Sequence, residues 1–201
     1  MNIVGKHVDM PIAAFGDIHG VFDVIRSKAK IYFLENIVCF ACGDFGVGFC
    51  YNNPIEPRKE KKRLSDLNLF LKKRNIFLYV VRGNHDNPTF FDGKHNLSNL
   101  IFMQDYDVVE VGEHNILGIG GATSVDRKEN PNFGFKGRRE GIDWWPDEKV
   151  VYDEEKLQSL GGIDMVVSHT CPDFIYPSVE NKDVERWIEY DPELRQELEN
   201  K

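Results

Sequence analysis

No stretch of the 201-residue sequence approaches the ~20 consecutive apolar residues that a membrane-spanning helix needs. The first ten residues carry Lys6, His7 and Asp9 and hold no unbroken apolar core. They do not read as a secretory leader, so a cytoplasmic location is expected. Positive charge is in short supply: 25 Lys and Arg against 33 Asp and Glu leave a net charge of -8. That balance disfavours sequence-independent grip on nucleic-acid phosphates, though it leaves room for a local basic groove. Cysteine is scarce as well, with only Cys39, Cys42, Cys50 and Cys171. Cys39 and Cys42 form a C-x-x-C, but no second pair exists to complete a zinc site. They also fall in an apolar run, 36–43, that reads as a buried strand, where an odd separation sends two side chains to opposite faces. We read them as small buried hydrophobes in a reducing compartment. Internal repeats and low-complexity tracts are absent.

What is present is an ordinary globular composition, 41% hydrophobic and 29% charged, at a length that suits one domain with a substantial core. In the first half, short apolar runs alternate with helical patterns. Strands are expected at 11–15, 37–41 and 76–81. Helices are expected at 21–35, where Val21, Val24, Ile25, Ala29 and Tyr32 share a face, and at 58–74, with Leu64, Leu67 and Leu71 on one stripe. The second half holds strand-like runs at 100–103, 108–111, 115–119 and 164–168, a long irregular stretch at 120–146 containing Trp144 and Trp145, and a helical pattern over 184–199. Strands alternating with helices predict an α/β fold with a parallel or mixed sheet covered by helices. The stretches 51–57 and 120–146 are the loops expected to shape specificity.

Four apolar strands end in turns bearing metal-ligand residue types: Gly16-Asp17-Ile18-His19-Gly20, Gly43-Asp44, Gly83-Asn84-His85-Asp86 and Ser168-His169. Beyond the carboxyl ends of neighbouring parallel strands, such side chains converge on one crevice. Carboxylate and imidazole donors suit divalent first-row metals such as Mn, Fe, Co or Zn. A carboxylate lying between two cations about 3.5–4 Å apart would offset their repulsion. A water activated by such a pair hydrolyses a phosphoester without a protein nucleophile.

The pattern D-x-H, G-D, G-N-H-D and a later H, running from Asp17 to His169, resembles the calcineurin-like metallophosphoesterases. The resemblance implies a four-layer α/β/β/α sandwich of two mixed sheets flanked by helices, and two divalent metal ions (Mn, Fe, Zn or Ni). It implies that Asp17 and His19 bind the first metal, that Asp44 bridges, and that Asn84 and His169 bind the second. His85 matches the histidine that contacts the substrate phosphate and protonates the leaving group, with Asn84 also facing substrate; Asp86 is expected to orient the turn. Arg82, before that turn, is a candidate phosphate contact, with surface pairing the competing reading.

The family pattern closes with G-H-x-H, and no histidine follows His169; His7, His95 and His114 lie out of order. Either residues 1–201 form a single domain cut short before its last strands, which the helical pattern at the end favours, or the chain is a divergent member with incomplete metal shells. The leading expectation is hydrolysis of a small-molecule, nucleotide or phosphoprotein phosphoester. A nuclease using the basic run 58–63, Lys72, Lys73, Arg74 and the Trp pair ranks lower, because such runs are usually solvated helix faces and such aromatics usually anchor a loop. A catalytically impaired phosphoester-binding module is the alternative outside enzymology. No membrane partner is expected.

Overall fold

The computed structural model describes residues 1–49, 56–171 and 183–199. Its elements run β1 (Asn2–His7), β2 (Ile12–Phe15), α1 (Asp23–Ile31), β3 (Ile37–Cys42), α2 (Pro57–Lys73), β4 (Ile76–Val81), β5 (Leu100–Phe102), β6 (Asp107–Val111), β7 (His114–Ile119), α3 (Glu154–Ser159), β8 (Met165–Ser168), α4 (Asp183–Ile188) and α5 (Pro192–Glu199). Among the described residues they form two four-stranded sheets, ordered β2-β3-β4-β5 and β1-β6-β7-β8. The first is parallel throughout. The second is mixed, with an antiparallel β6–β7 hairpin between parallel neighbours.

Period-two alternation explains the layering. On β3, Ile37, Cys39 and Ala41 face a core shared with Ile25 and Ala29 of α1 and Leu64, Leu67 and Leu71 of α2. Val38 and Phe40 face the other way, onto Val109, Val111, Ile116 and Val167 of the second sheet. The far side of the second sheet packs Val108 and Leu117 against Leu157 of α3. The result is the four-layer α/β/β/α sandwich. Cys39 and Cys42 lie on opposite faces of β3, Cys39 with the helix layer and Cys42 with the inter-sheet core, as the strand reading requires. Cys50 and residues 51–55 of the expected specificity loop lie outside the described residues.

Some elements depart from the sequence pattern for identifiable reasons. α1 stops at Ile31 instead of running to Glu35. Phe33 adopts φ 53°, its N–H bonds the Lys30 carbonyl, and the Leu34 N–H reaches the Ala29 carbonyl. That paired arrangement ends a helix and tucks the next apolar residue, Leu34, against the core. The expected helix 184–199 is two helices, because Pro192 has no N–H to continue the first and its ring starts the second. Asp191 caps the restart, accepting from the Leu194 N–H at 3.3 Å. β1 was not expected; it enters the second sheet beside β6, a partner more than a hundred residues away.

Gly5 on β1 shows how closely the sheets approach. A Cβ there would lie 1.8 Å from Tyr79 Oη, the hydroxyl that pairs with His7 Nε2 at 2.7 Å. Gly5→Ala should therefore cost about 1–3 kcal/mol through overpacking of the inter-sheet core. Equilibrium denaturation measures it, and an unchanged midpoint would contradict this packing.

Candidate metal centre

Parallel pairing of β2, β3 and β4 places their carboxyl ends on one edge, and each of these ends opens into one of the ligand-bearing turns. The turns are built to approach one another. Gly43 and Asp44 both take left-handed φ, 82° and 45°, reversing the chain directly after β3. The Asp44 carbonyl accepts from the N–H groups of Ile18 and His19, locking the first turn to the second. β8, from the other sheet, delivers His169 against Gly43, where a Cβ would sit 2.3 Å from the His169 ring. A Cβ on Gly83 would likewise meet the Asp44 N at 2.2 Å.

The third turn is held by Asp86, which is fully buried. Its carboxylate accepts four backbone N–H bonds: Oδ1 from Gly46 (2.7 Å) and Val47 (3.1 Å), Oδ2 from Gly83 (2.9 Å) and Phe45 (3.1 Å). Burial pushes Asp86 up to about 6, against the pull of these donors. It clamps the second and third turns together.

Asp44 lies at the centre, 5% exposed, and its ion-pair partners among the described residues are all histidines. Oδ2 is 3.3 Å from His85 Nδ1 and 3.7 Å from His19 Nε2, and Asp17 Oδ2 stands 3.9 Å from the same His19 nitrogen. Oδ1 is 3.3 Å from His169 Nε2 and also accepts the His85 backbone N–H at 2.9 Å. Asn84 Oδ1 is 3.3 Å from His169 Nε2. His169 Nδ1 lies 2.9 Å from the Cys42 carbonyl, which can only accept. Nδ1 therefore carries a proton, and Nε2 is the ring nitrogen directed at Asp44 and Asn84.

His19, Asp44 and His85 each offer a ligand atom, all within 4.8 Å of one another. The His85 and His19 Nδ1 atoms are 3.1 Å apart. Burial drives His85 down to about 4; the Asp44 charge opposes this, while Arg138 and His19 add to it. Among the described residues the Asp44 carboxylate pairs with no lysine or arginine, so it is buried without a permanent positive charge beside it, an arrangement that is costly unless a cation joins it. Oxygen and imidazole donors of this kind fit a divalent metal of the manganese-to-zinc series.

All five residues expected as ligands, Asp17, His19, Asp44, Asn84 and His169, meet here together with His85. Asp17 is the outermost, its side chain 60% exposed. Arg82 is placed elsewhere: buried, it donates to the carbonyls of Asp147 (3.0 Å) and Lys149 (3.2 Å) and to Asp105 (3.2 Å), so its guanidinium is committed to the protein. Trp145 is buried, while Trp144 donates its Nε1–H to Glu148. On α2, Arg58, Lys59, Lys61 and Lys62 face solvent. Sequence reading did not single out Phe49, whose ring stacks on His85 at 4.6 Å, or Ser124, which accepts from Asn84 Nδ2 at 3.0 Å. Ser124 lies within the long 120–146 stretch flagged as functional, but nothing in its local sequence marks it.

Because His85 is held neutral, its ring in the metal-free protein should stay uncharged from pH 7 down to about pH 5. The ring protonates only as pH falls toward 4, well below the ordinary histidine value of 6.5. Imidazole nitrogen chemical shifts across a pH titration measure this, and a ring half-protonated at pH 6.5 would contradict the burial account.

Compared with known proteins, the chain matches the family model for calcineurin-like phosphoesterases over residues 10–195. No curated protein and no solved structure gives a significant match. The matched span takes in every strand but β1 and every one of the converging turns. On that match, with the two-sheet sandwich and the ligand-bearing strand ends in place, the chain belongs to the calcineurin-like phosphoesterase family, whose members hydrolyse phosphoesters with divalent metal ions.

Proposed function

We propose that this chain hydrolyses phosphoester bonds with two divalent cations held on either side of Asp44. The observation that carries the reading is the division of the Asp44 carboxylate. Oδ2 faces the side occupied by His19 and Asp17, and Oδ1 faces the side occupied by His169 and Asn84. Asp17 and His19 would hold one ion, Asn84 and His169 the other, and the Asp44 carboxylate would bridge them. Bound there, the ions would supply Lewis-acid charge to the phosphate oxygens and to the attacking water.

The protein's own groups divide the remaining work. Asn84 and His85, adjacent on one turn, are the residues proposed to meet the phosphate. His85 starts neutral, and the negative charge of an arriving phosphate next to it favours the protonated ring. A proton taken up from solvent as the phosphate arrives would then let His85 protonate the leaving oxygen. Phe49, stacked on His85, restricts the ring and covers one of its faces. The substrate class proposed is a small-molecule, nucleotide or phosphoprotein phosphoester.

The test uses generic aryl phosphate mono- and diesters in the presence of Mn2+. The protein should turn over at least one of them, chelator should abolish turnover, and Asp44→Asn should reduce it to background, because the substitution removes the charge that lies between the ions. Full activity in Asp44→Asn would overturn the mechanism.

A further inference from the structure

Asn84 offers two chemically different atoms from one carboxamide: Oδ1 can ligate a cation, and the Nδ2 amide cannot. Something must decide which of them faces the site. In this structure Nδ2 donates to Ser124 Oγ at 3.0 Å, and the Ser124 hydroxyl donates in turn to Glu148 Oε2 at 2.9 Å. Glu148 Oε1 accepts from the Ser124 N–H at 2.6 Å and from Trp144 Nε1 at 3.2 Å. Ser124 and Glu148 are each 1% exposed, so both are shielded from bulk solvent.

The direction of this chain follows from proton counting. An ionised carboxylate can only accept, and three donors point at Glu148. Burial raises this carboxyl to about 7 against the pull of those hydrogen bonds, so the ionised form predominates above pH 7. With the carboxylate ionised, the single hydroxyl proton of Ser124 is spent on Glu148 Oε2, 2.9 Å away. Ser124 Oγ can then only accept from residue 84, which turns Nδ2 outward and Oδ1 inward, toward His169 Nε2.

The backbone around Glu148 is held by the same strand end that carries Asn84. Arg82 binds the carbonyls of residues 147 and 149, on either side of Glu148. The Glu148 carbonyl accepts from the Ala122 N–H at 3.0 Å, two residues before Ser124.

We propose that Glu148, acting through Ser124, is a positioning residue that sets the amide orientation of Asn84 and so builds the cation site shared by Asn84 and His169. The inference rests on the metal reading given above. Glu148→Gln tests it, because it keeps the shape and changes only the proton inventory. The Gln oxygen would take the Ser124 N–H and Trp144 bonds, leaving its amide to donate to Ser124 Oγ. Ser124 would then turn its proton toward residue 84, and Asn84 would flip, presenting an amide that cannot bind a cation. Asn84→Asp removes that conflict, since one carboxylate oxygen accepts from Ser124 while the other remains available to the metal.

The experiment is a Mn2+ titration by calorimetry, with folding checked by circular dichroism, on the unaltered protein, Glu148→Gln, Asn84→Asp and the double variant. The unaltered protein should bind two ions. Glu148→Gln should weaken one site by about 10–100-fold and leave the other unchanged. In the Asn84→Asp background the same change should have the opposite sign, strengthening binding, because it relieves two acceptors competing for one hydroxyl proton. A loop anchor alone would weaken binding in both backgrounds. Two-site binding undiminished in Glu148→Gln, or weakening in both backgrounds, would overturn this inference and leave the metal reading standing. If Glu148→Gln does not fold, the Asn84→Asp pair decides by the same sign. No Mn2+ uptake by the unaltered protein would overturn the metal reading and this inference with it.

Discussion

A carboxylate buried with no lysine or arginine beside it lacks a compensating charge until a cation arrives, and among the described residues Asp44 is in that position. The surrounding structure serves to create and hold this arrangement. Three parallel strand ends and one strand from the facing sheet bring His19, Asn84, His85 and His169 around a single carboxyl group. Asp86, with four backbone donors, prevents two of the turns from spreading under the mutual repulsion of their acceptors. The close sheet approach marked by Gly5, and the contact of Gly43 with the His169 ring, fix how far the second sheet stands from the first. The folding energy of the sandwich thus offsets the cost of holding the metal-free site together.

The same constraint accounts for the way protons are distributed. His169 is made to keep its proton on Nδ1 by the Cys42 carbonyl, and Asn84 is oriented by a hydrogen bond to Ser124. In both cases a neighbour that can only accept, or has one proton to place, decides which atom of the ligand looks inward. His85 reaches neutrality by a different route, through burial and the positive charge of Arg138.

Much of this was legible in the sequence, because the information is local. Each ligand follows a short apolar strand by one to four residues, all but His169 in a glycine-bearing turn, and parallel strands bring such turns together as a matter of geometry. Opposite faces for Cys39 and Cys42 followed from strand periodicity alone. The parts that were not legible depend on long-range folding. Ser124 and Glu148 act through a loop whose path no periodicity describes, and β1 pairs with a strand a hundred residues distant. Arg82 misled by adjacency: it precedes the Asn84 turn, yet its side chain runs to the 147–149 backbone. The single helix expected over 184–199 gave way to Pro192, a signal that was present in the sequence and outweighed by composition.

The account stands or falls on cations flanking Asp44. Anomalous diffraction at the manganese edge, from crystals of the protein grown or soaked with Mn2+, locates them directly. Two peaks about 3.5–4 Å apart, one beside Asp44 Oδ2 with Asp17 and His19 and one beside Oδ1 with Asn84 and His169, are the predicted result. No peak within bonding distance of Asp44, or a single peak away from its carboxylate, would contradict it.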